Sequence, residues 1–514
     1  MRRLPVWFNG AVGSLSILVL LLAVTAVVVS REDAGGQASR IASSPEATTA
    51  SAAVKVPGRR PNIVLITADD LSFEEMRFLP KTRALLGDRG VTFTGFTAPH
   101  PLCCPSRAQL LTGQYAQNNG VRLNTARLGG YKRFHPRTAL PVWLKKAGYR
   151  TGMVGKYLNE YPREAKTKRE VGWNHWDPTL KRIYQYYGYT QHNNGNPIRP
   201  LSYHTDYVAE QTSQLIENFG ARSKPYFVWS SFVAPHGSCS VAEEAAKCSA
   251  PPVPALRHRL SYLGLQPPSA ETPAYNEDDV SDKPAAIRGL DKVDDDDIQE
   301  LQMRRAQSLA ALDDGVAEIV ESIRSSDGFG RTLLVFTSDN GYLLGQHRYV
   351  GKVLAYEESV RVPLLMRGLG LPAGVTDKQT GAMIDLAPTF AALARAIPQV
   401  TIDGQPIVLR EGRVARSSDS RTLLVQAGVQ DLRKYPDGWK YRGVRTSRYT
   451  YVRWAQQNFV ELYDRIRDPG QLANVARDPR YRAVRRELER RLLVLGECAG
   501  AECRQDFGRA PRPK

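Results

Sequence analysis

The stretch Cys103-Cys104-Pro105-Ser106-Arg107-Ala108-Gln109-Leu110-Leu111-Thr112-Gly113 sets a thiol, a proline and an arginine at offsets that suit a nucleophile at the start of a helix. Pro105 fits a first helical turn, where its missing N–H would have found no partner anyway. Cys103 then lies at the helix N-terminus or just before it, where free N–H groups and the helix dipole favour a bound anion. Arg107, four residues on, shares a helix face with Cys103 and can point a fork of donors back at whatever it holds. Leu110 and Leu111 are expected to bury the opposite face. A buried thiol pair in an ordinary amphipathic helix accounts for the same residues, because free cysteine is among the most buried residue types.

Two other stretches put oxygen donors at strand ends. The apolar run Asn62-Ile63-Val64-Leu65-Ile66-Thr67-Ala68 closes on Asp69-Asp70. Adjacent carboxylates repel unless a cation joins them, and oxygen ligands suit a hard ion such as calcium or magnesium. A solvated loop pair or a helix cap is the plainer alternative. Leu333-Leu334-Val335-Phe336-Thr337-Ser338 repeats the pattern and closes on Asp339-Asn340, with Gly341 expected to let the backbone turn sharply. Lys156 ends a short strand over 151–155, and His236 follows Pro235 after a strand over 225–232. Taken alone, these two are an ordinary surface lysine and a structural histidine.

The elements that must hold these groups read as continuous apolar strands, the kind buried on both faces of an α/β sheet. In open α/β sheets functional groups gather beyond the carboxyl ends of the strands. Helical periodicity covers 206–219 and about 297–325, and the acids Asp294 to Asp297 suit the start of the second helix. A β-like stretch over 91–98 leads into the Cys103 helix, and 362–366 is a further strand. Past about residue 410 the character changes: 441–446, 449–454 and 461–464 look like hairpin strands, followed by a closing helix near 480–496.

A chain of 514 residues is long enough for a main domain and an appendage. Its net charge of +18 favours anionic partners through steering. No zinc-finger spacing or other nucleic-acid module is evident, so nucleic acid is not an expected partner. Arg2 and Arg3 precede an uncharged run over 4–30, which reads as a signal peptide or an uncleaved membrane anchor. Either places the remainder outside the cytoplasm, secreted or held at the membrane by that segment alone. Residues 31–58 are rich in Ala, Ser, Gly and Thr and read as a flexible linker. Cys239 with Cys248, and Cys498 with Cys503, are close enough in sequence for each pair to close a short loop in an oxidising compartment.

Cys, any residue, Pro, Ser, Arg, with Leu-Thr-Gly further along, resembles the signature of the sulfatase family, and the other motifs follow in that family's order over about residues 60–480. The resemblance implies that a formylglycine-generating enzyme oxidises Cys103 to formylglycine, whose hydrated aldehyde is the nucleophile. It implies Asp69, Asp70, Asp339, Asn340 and the modified Cys103 as ligands of a divalent metal, calcium or alternatively magnesium. It carries Lys156 and Lys352 to the sulfate, Arg107 to the nucleophile's turn, His236 to the leaving alcohol as its acid, and His347 to the site as a further histidine. Many members place a His two residues after the first lysine; Leu158 stands here, so the base of the elimination step has no residue. Gly155-Lys156-Tyr157-Leu158-Asn159-Glu160-Tyr161 and the doubled cysteine are similar to the N-acetylglucosamine-6-sulfatase and extracellular heparan-sulfatase branch. The implied fold is an alkaline-phosphatase-like α/β sandwich, a large central mixed sheet between helices, with a small C-terminal antiparallel sheet. The implied division is a catalytic domain over 59–410 and a C-terminal subdomain with a basic tail over 411–514. The expected reaction is hydrolysis of the sulfate ester of a sulfated sugar. Aryl sulfates, choline sulfate, and phosphate or phosphonate monoesters are the alternative substrates.

Overall fold

Five strands run parallel at the centre of a ten-stranded mixed sheet: Thr332–Ser338, Asn62–Ala68, Tyr226–Ser231, Arg150–Gly155 and His175–Lys181, adjacent in that order. The computed structural model describes residues 58–162, 169–239, 250–326, 328–407, 420–456 and 458–514. The expected leader and linker, Cys248 and the expected boundary near 410 lie outside them. Every residue of Asn62–Ala68 and Thr332–Ser338 is buried, as expected of strands covered on both faces. Leu364–Arg367 and Val91–Phe93 extend the sheet on one side with antiparallel pairing, and Val375–Asp377 closes that edge. On the other side the hairpin Thr190–Asn193 and Asn196–Ile198, which the sequence pattern did not reveal, closes the second edge.

Alternation along the central strand separates two cores. Ile63 and Leu65 face one, with residues of the helices Cys103–Thr112, Leu140–Lys146 and Leu386–Ala394. Val64, Ile66 and Ala68 face the other, with His204–Gly220 and Asp295–Ser325. The long helix begins as its acids suggested: Asp294 caps it, its carboxylate accepting from the backbone N–H groups of Asp296 and Asp297.

The register sets the site. Ala68 pairs with Ser338, Thr67 with Ser231, and Gly155 with Ser231. Parallel strands ending level deliver Asp69, Asp339, Lys156 and the loop to His236 at one carboxyl edge. Gly155 is required there: it has φ 99°, and a Cβ would stand 2.0 Å from the Ser231 carbonyl oxygen.

A separate antiparallel sheet, Leu423–Gly428, Trp439–Arg445, Tyr449–Trp454 and Val460–Asp464, lies near the C-terminus. Its first strand went unread in the sequence. The helix Arg482–Glu497 packs into one core with this sheet, beside the disulfide Cys498–Cys503. The opposite core joins Val425, Tyr441, Val452 and Tyr463 to Leu354, Tyr356 and Val360 of the main domain. Arg445 clamps Glu357 across this junction with two hydrogen bonds, at 2.7 and 2.8 Å. The small sheet thus backs the segment that carries Lys352. Cys239 is disulfide-bonded; its expected partner lies outside the described residues.

Candidate active site

At the carboxyl edge the two acid-bearing strand ends interlock. Asp70 N–H donates to Asp339 Oδ1 at 3.2 Å, and Asn340 Nδ2 donates to Asp70 Oδ1 at 2.7 Å. Asp70 has φ 68°, a left-handed conformation that costs energy outside glycine and collects at functional sites. Its carbonyl is held by Arg305 Nη2 at 2.6 Å, and the same guanidinium is paired with buried Glu75. Arg305 and Glu75 carry no motif. They are the support that sequence reading missed.

The helix Cys103–Thr112 begins at Cys103, as Pro105 indicated, and is buried along its whole length. Sγ of Cys103 lies 3.5 Å from Asp69 Oδ1 and 2.9 Å from Lys352 Nζ. One ligand atom each from Asp69, Asp70, Cys103 and His236 falls within a group no wider than 4.8 Å. Arg107 shares the expected face, yet its fork does not grip the thiol. Nε donates to Asp339 Oδ2 at 2.7 Å, and Nη1 to the Lys156 carbonyl at 2.7 Å and Ser231 Oγ at 2.6 Å. The carboxylate and carbonyl are stronger acceptors than sulfur, which is the reason for the difference. Nη2 is buried without a hydrogen-bond partner among the described residues.

Charge is balanced pairwise. Lys156 is salt-bridged to Asp69, and Lys352 to Asp70. Burial opposes ionisation of Asp70, but Lys352, His236 and Lys156 outweigh it and hold its carboxyl below the usual range. Burial likewise opposes charge on Lys156 and Lys352, and Asp69 and Asp70 respectively outweigh it, so both stay protonated. Burial pushes the Cys103 thiol up to about 12, against the pull of the two lysines. Burial lowers His236 to about 4, so its imidazole is neutral at neutral pH. Its Nδ1 lies 2.7 Å from the Gly237 carbonyl, which assigns the proton to Nδ1 and leaves Nε2, 3.5 Å from Asp70 Oδ2, as an acceptor.

The oxygen donors suit a hard divalent ion. Asp69, Asp70, Asp339 and Asn340 are buried at one place, and Asn340 Oδ1 has no donor among the described residues. Its amide N–H groups are used, so the orphan is the atom with ligand capacity.

His347 is buried behind Glu277 and Tyr356: Nδ1 pairs with Glu277 Oε2 at 2.7 Å, the ring lies 4.1 Å from that of Tyr356, and Nε2 is buried without a hydrogen-bond partner among the described residues. Among the described residues it makes no hydrogen bond or ion pair with the Asp69–Asp70 group; the acid Glu277, from the segment ahead of the long helix, captures it. Gly341 does not turn in a left-handed conformation. It is needed because a Cβ would sit 2.0 Å from the Glu358 carbonyl oxygen.

Leu158, standing where a histidine was looked for, is buried in the core. An unforeseen residue, Tyr184, approaches instead. Its ring stacks on His236 with centroids 4.1 Å apart and lies 4.5 Å from Lys156 Nζ, and Asn159 Nδ2 donates to its hydroxyl at 2.6 Å. The tyrosine-rich run 184–189 was the only hint of it in the sequence.

Comparison with known proteins agrees with this geometry. A family model described as Sulfatase matches residues 61–396, and one described as N-sulphoglucosamine sulphohydrolase, C-terminal, matches residues 345–497. An arylsulfatase of Volvox carteri is 32% identical over 498 residues, covering 87% of this chain and 76% of that protein. An N-acetylglucosamine-6-sulfatase of Capra hircus is 30% identical over 498 residues, covering 87% and 85%. A protein solved in complex with its substrate D-glucosamine-2-N,6-O-disulfate superposes with a TM-score of 0.68 at 22% identity, over 85% of this chain and 97% of that one.

Proposed function

We infer, from the premise that this chain belongs to the sulfatase family and is a sulfuric ester hydrolase, that its substrate is a sulfated sugar and its nucleophile a formylglycine at Cys103. The observation that carries this reading is the meeting of buried Asp69, Asp70, Asp339, Asn340 and Lys156 with partly buried Lys352 around Cys103. The sugar is supported by the N-acetylglucosamine-6-sulfatase relative and by the 155–161 motif.

With its thiol pushed up to about 12, unmodified Cys103 is neutral at neutral pH and a poor nucleophile. Oxidised to formylglycine, it supplies a hydrated aldehyde: one hydroxyl attacks sulfur and the second allows sulfate to be expelled, which neither serine nor cysteine permits. The spare Nη2 of Arg107, one turn along the helix, is the donor available to an oxygen at this position. Asp69, Asp70, Asp339 and Asn340 would hold calcium, with magnesium the alternative, and such an ion stabilises charge developing on the sulfate.

The chain's own charges do the rest. Three carboxylates, Asp69, Asp70 and Asp339, face three cations, Lys156, Lys352 and Arg107, and cancel. A divalent ion added to that set leaves two positive charges, which suits a sulfate ester. Lys156 and Lys352, already protonated, are free to turn from their carboxylates to the sulfate oxygens. Fixed charges of this kind are usually the largest catalytic contribution. His236 accepts at Nε2 the proton released by the attacking hydroxyl and returns it to the leaving alcohol oxygen. Tyr184, stacked on it, fixes the ring plane. His236 is also the base available for the elimination that Leu158 cannot serve.

Export accompanies this reading, supported by the apolar run over 4–30 and by the disulfide Cys498–Cys503. Among the described residues no helix is long and apolar enough to cross a membrane. The test is enzyme made together with a formylglycine-generating enzyme, assayed on N-acetylglucosamine 6-sulfate, 4-nitrophenyl sulfate, choline sulfate and 4-nitrophenyl phosphate. Turnover of the sugar sulfate and a mass shift at Cys103 are expected. Activity confined to the aryl, choline or phosphate ester would refute the sugar assignment.

A further inference from the structure

We propose that the cationic groove between the turn following His175–Lys181 and the loop following Asn196–Ile198 binds anionic groups of the same glycan chain, at sugars beyond the one that bears the scissile sulfate. The proposal rests on the sulfated-sugar reading and extends it from a single sugar to a polyanionic chain. The groove is a cavity of ≈ 520 Å³ lined by Lys181, Arg182 and Arg199, with Tyr187 and Leu201, and among the described residues no carboxylate lines it. All three cations are exposed. None forms a salt bridge among the described residues; Arg182 Nη1 reaches only the Gly188 carbonyl at 3.5 Å. Cations gathered without a counter-charge repel one another, and an anionic ligand relieves that repulsion. Leu201 is 97% exposed and Tyr187 38% exposed. They offer apolar area to the face of a sugar ring, while the cations take its sulfate or carboxylate groups.

The groove is tied to the active site by a single turn. Tyr184 stacks on His236, and Tyr186 donates from its hydroxyl to the His236 carbonyl at 2.8 Å. Tyr187, next in the chain, lines the groove, and three residues span at most about 11 Å. The wall of the groove and the contact on His236 thus belong to one short turn, the spacing a chain of a few sugars would need to engage both. Tyr187 packs at 5.3 Å on Tyr203, so that wall is held from behind.

Arg182→Ala/Arg199→Ala, at exposed positions, tests this on N-acetylglucosamine 6-sulfate and on a 6-O-sulfated heparan-type hexasaccharide. KM for the hexasaccharide should rise roughly tenfold, its salt dependence should flatten, and kcat/KM on the monosaccharide should not change. An unchanged ratio between the two substrates overturns the proposal. Calorimetric binding of the hexasaccharide to Cys103→Ala protein, with and without the double substitution, gives a second reading that needs no turnover. If the wild-type enzyme hydrolyses neither sugar, the sulfated-sugar reading fails, while a lost or retained affinity in that titration still decides the groove. An oligonucleotide of equal charge that binds as tightly as the hexasaccharide would make the groove a nonspecific basic patch and also overturn it.

Discussion

Lys156 is buried and Lys352 partly buried, each paired with a carboxylate, Asp69 and Asp70, whereas Lys181, Arg182 and Arg199 stand in solvent with no carboxylate partner among the described residues. Both regions present cations to anions, by different physics. At the floor of the site the carboxylates, Lys156 and Arg107 are buried, so removing one group leaves a buried charge without its partner, and the groups act as a unit. In the groove each cation is hydrated and screened, so each contributes little and the sum depends on salt. The floor is built for chemistry at one sulfur atom, and the groove for holding a chain.

The comparison breaks first at Cys103. Cys103→Ala should give a folded protein with no turnover. Cys104→Ala, in the adjacent core position, should remain active and lose about 1 kcal/mol of stability or somewhat more in a denaturant titration. Peptide mass spectrometry should find the aldehyde at Cys103 alone. An active enzyme with unmodified Cys103 would end the mechanism.

Next come the charges of the floor. Chelation should abolish activity and calcium restore it. Asp339→Ala should also abolish activity but resist rescue, because buried Arg107 then loses its partner; breaking such a pair costs about 3–5 kcal/mol, readable as a lowered Tm. Full activity after chelation would remove the metal from the account. Lys156→Ala should lower kcat by about 10²–10³-fold, the scale of one lost electrostatic donor, whereas groove substitutions act on KM. A Lys156→Ala enzyme with altered KM and normal kcat would erase the distinction between the two regions.

A smaller effect belongs to Tyr184, which links them. Tyr184→Ala removes the stack on His236 and should lower kcat roughly fivefold, about 1 kcal/mol of ring packing translated into rate. Tyr184→Phe keeps the ring and should recover most of it. Equal losses in the two variants would assign the effect to the hydroxyl.

The smallest effect on activity is expected at Asp177, on the strand that leads from the core to Lys181. Burial raises its carboxyl to about 7, partly offset by the Tyr207 hydroxyl at 2.9 Å. Between pH 4 and 7 the folded protein keeps this proton and the unfolded chain, with an ordinary Asp near 3.8, has lost it. This contribution to stability therefore falls as pH rises through that window and levels off above it. Asp177→Asn should flatten the pH dependence of Tm without altering turnover; a wild-type Tm unchanged by Asp177→Asn at both ends of the window would contradict it.

The features that the sequence determined by itself have local causes. An apolar run ending in acids gave the strand ends at Asp69 and Asp339, Pro105 gave the helix start at Cys103, and Asp294 gave a cap. Its family motifs further named the residues that do meet: Asp69, Asp70, Asp339, Asn340, Cys103, Lys156, Lys352 and His236. Only the tertiary structure decided who pairs with whom. Arg107 shares a face with Cys103 along its helix but bonds to Asp339, because parallel register brings a carboxylate within 2.7 Å. His347 follows the motif order yet is taken by Glu277, an acid 70 residues away in sequence that no local pattern connects to it. Tyr184 and Arg305 carry no motif, since stacking on an imidazole or holding a carbonyl asks nothing of neighbouring residues. Periodicity and spacing report forces that act over a few residues; hydrogen-bond partners between strands, helices and loops are chosen by distance in the folded chain.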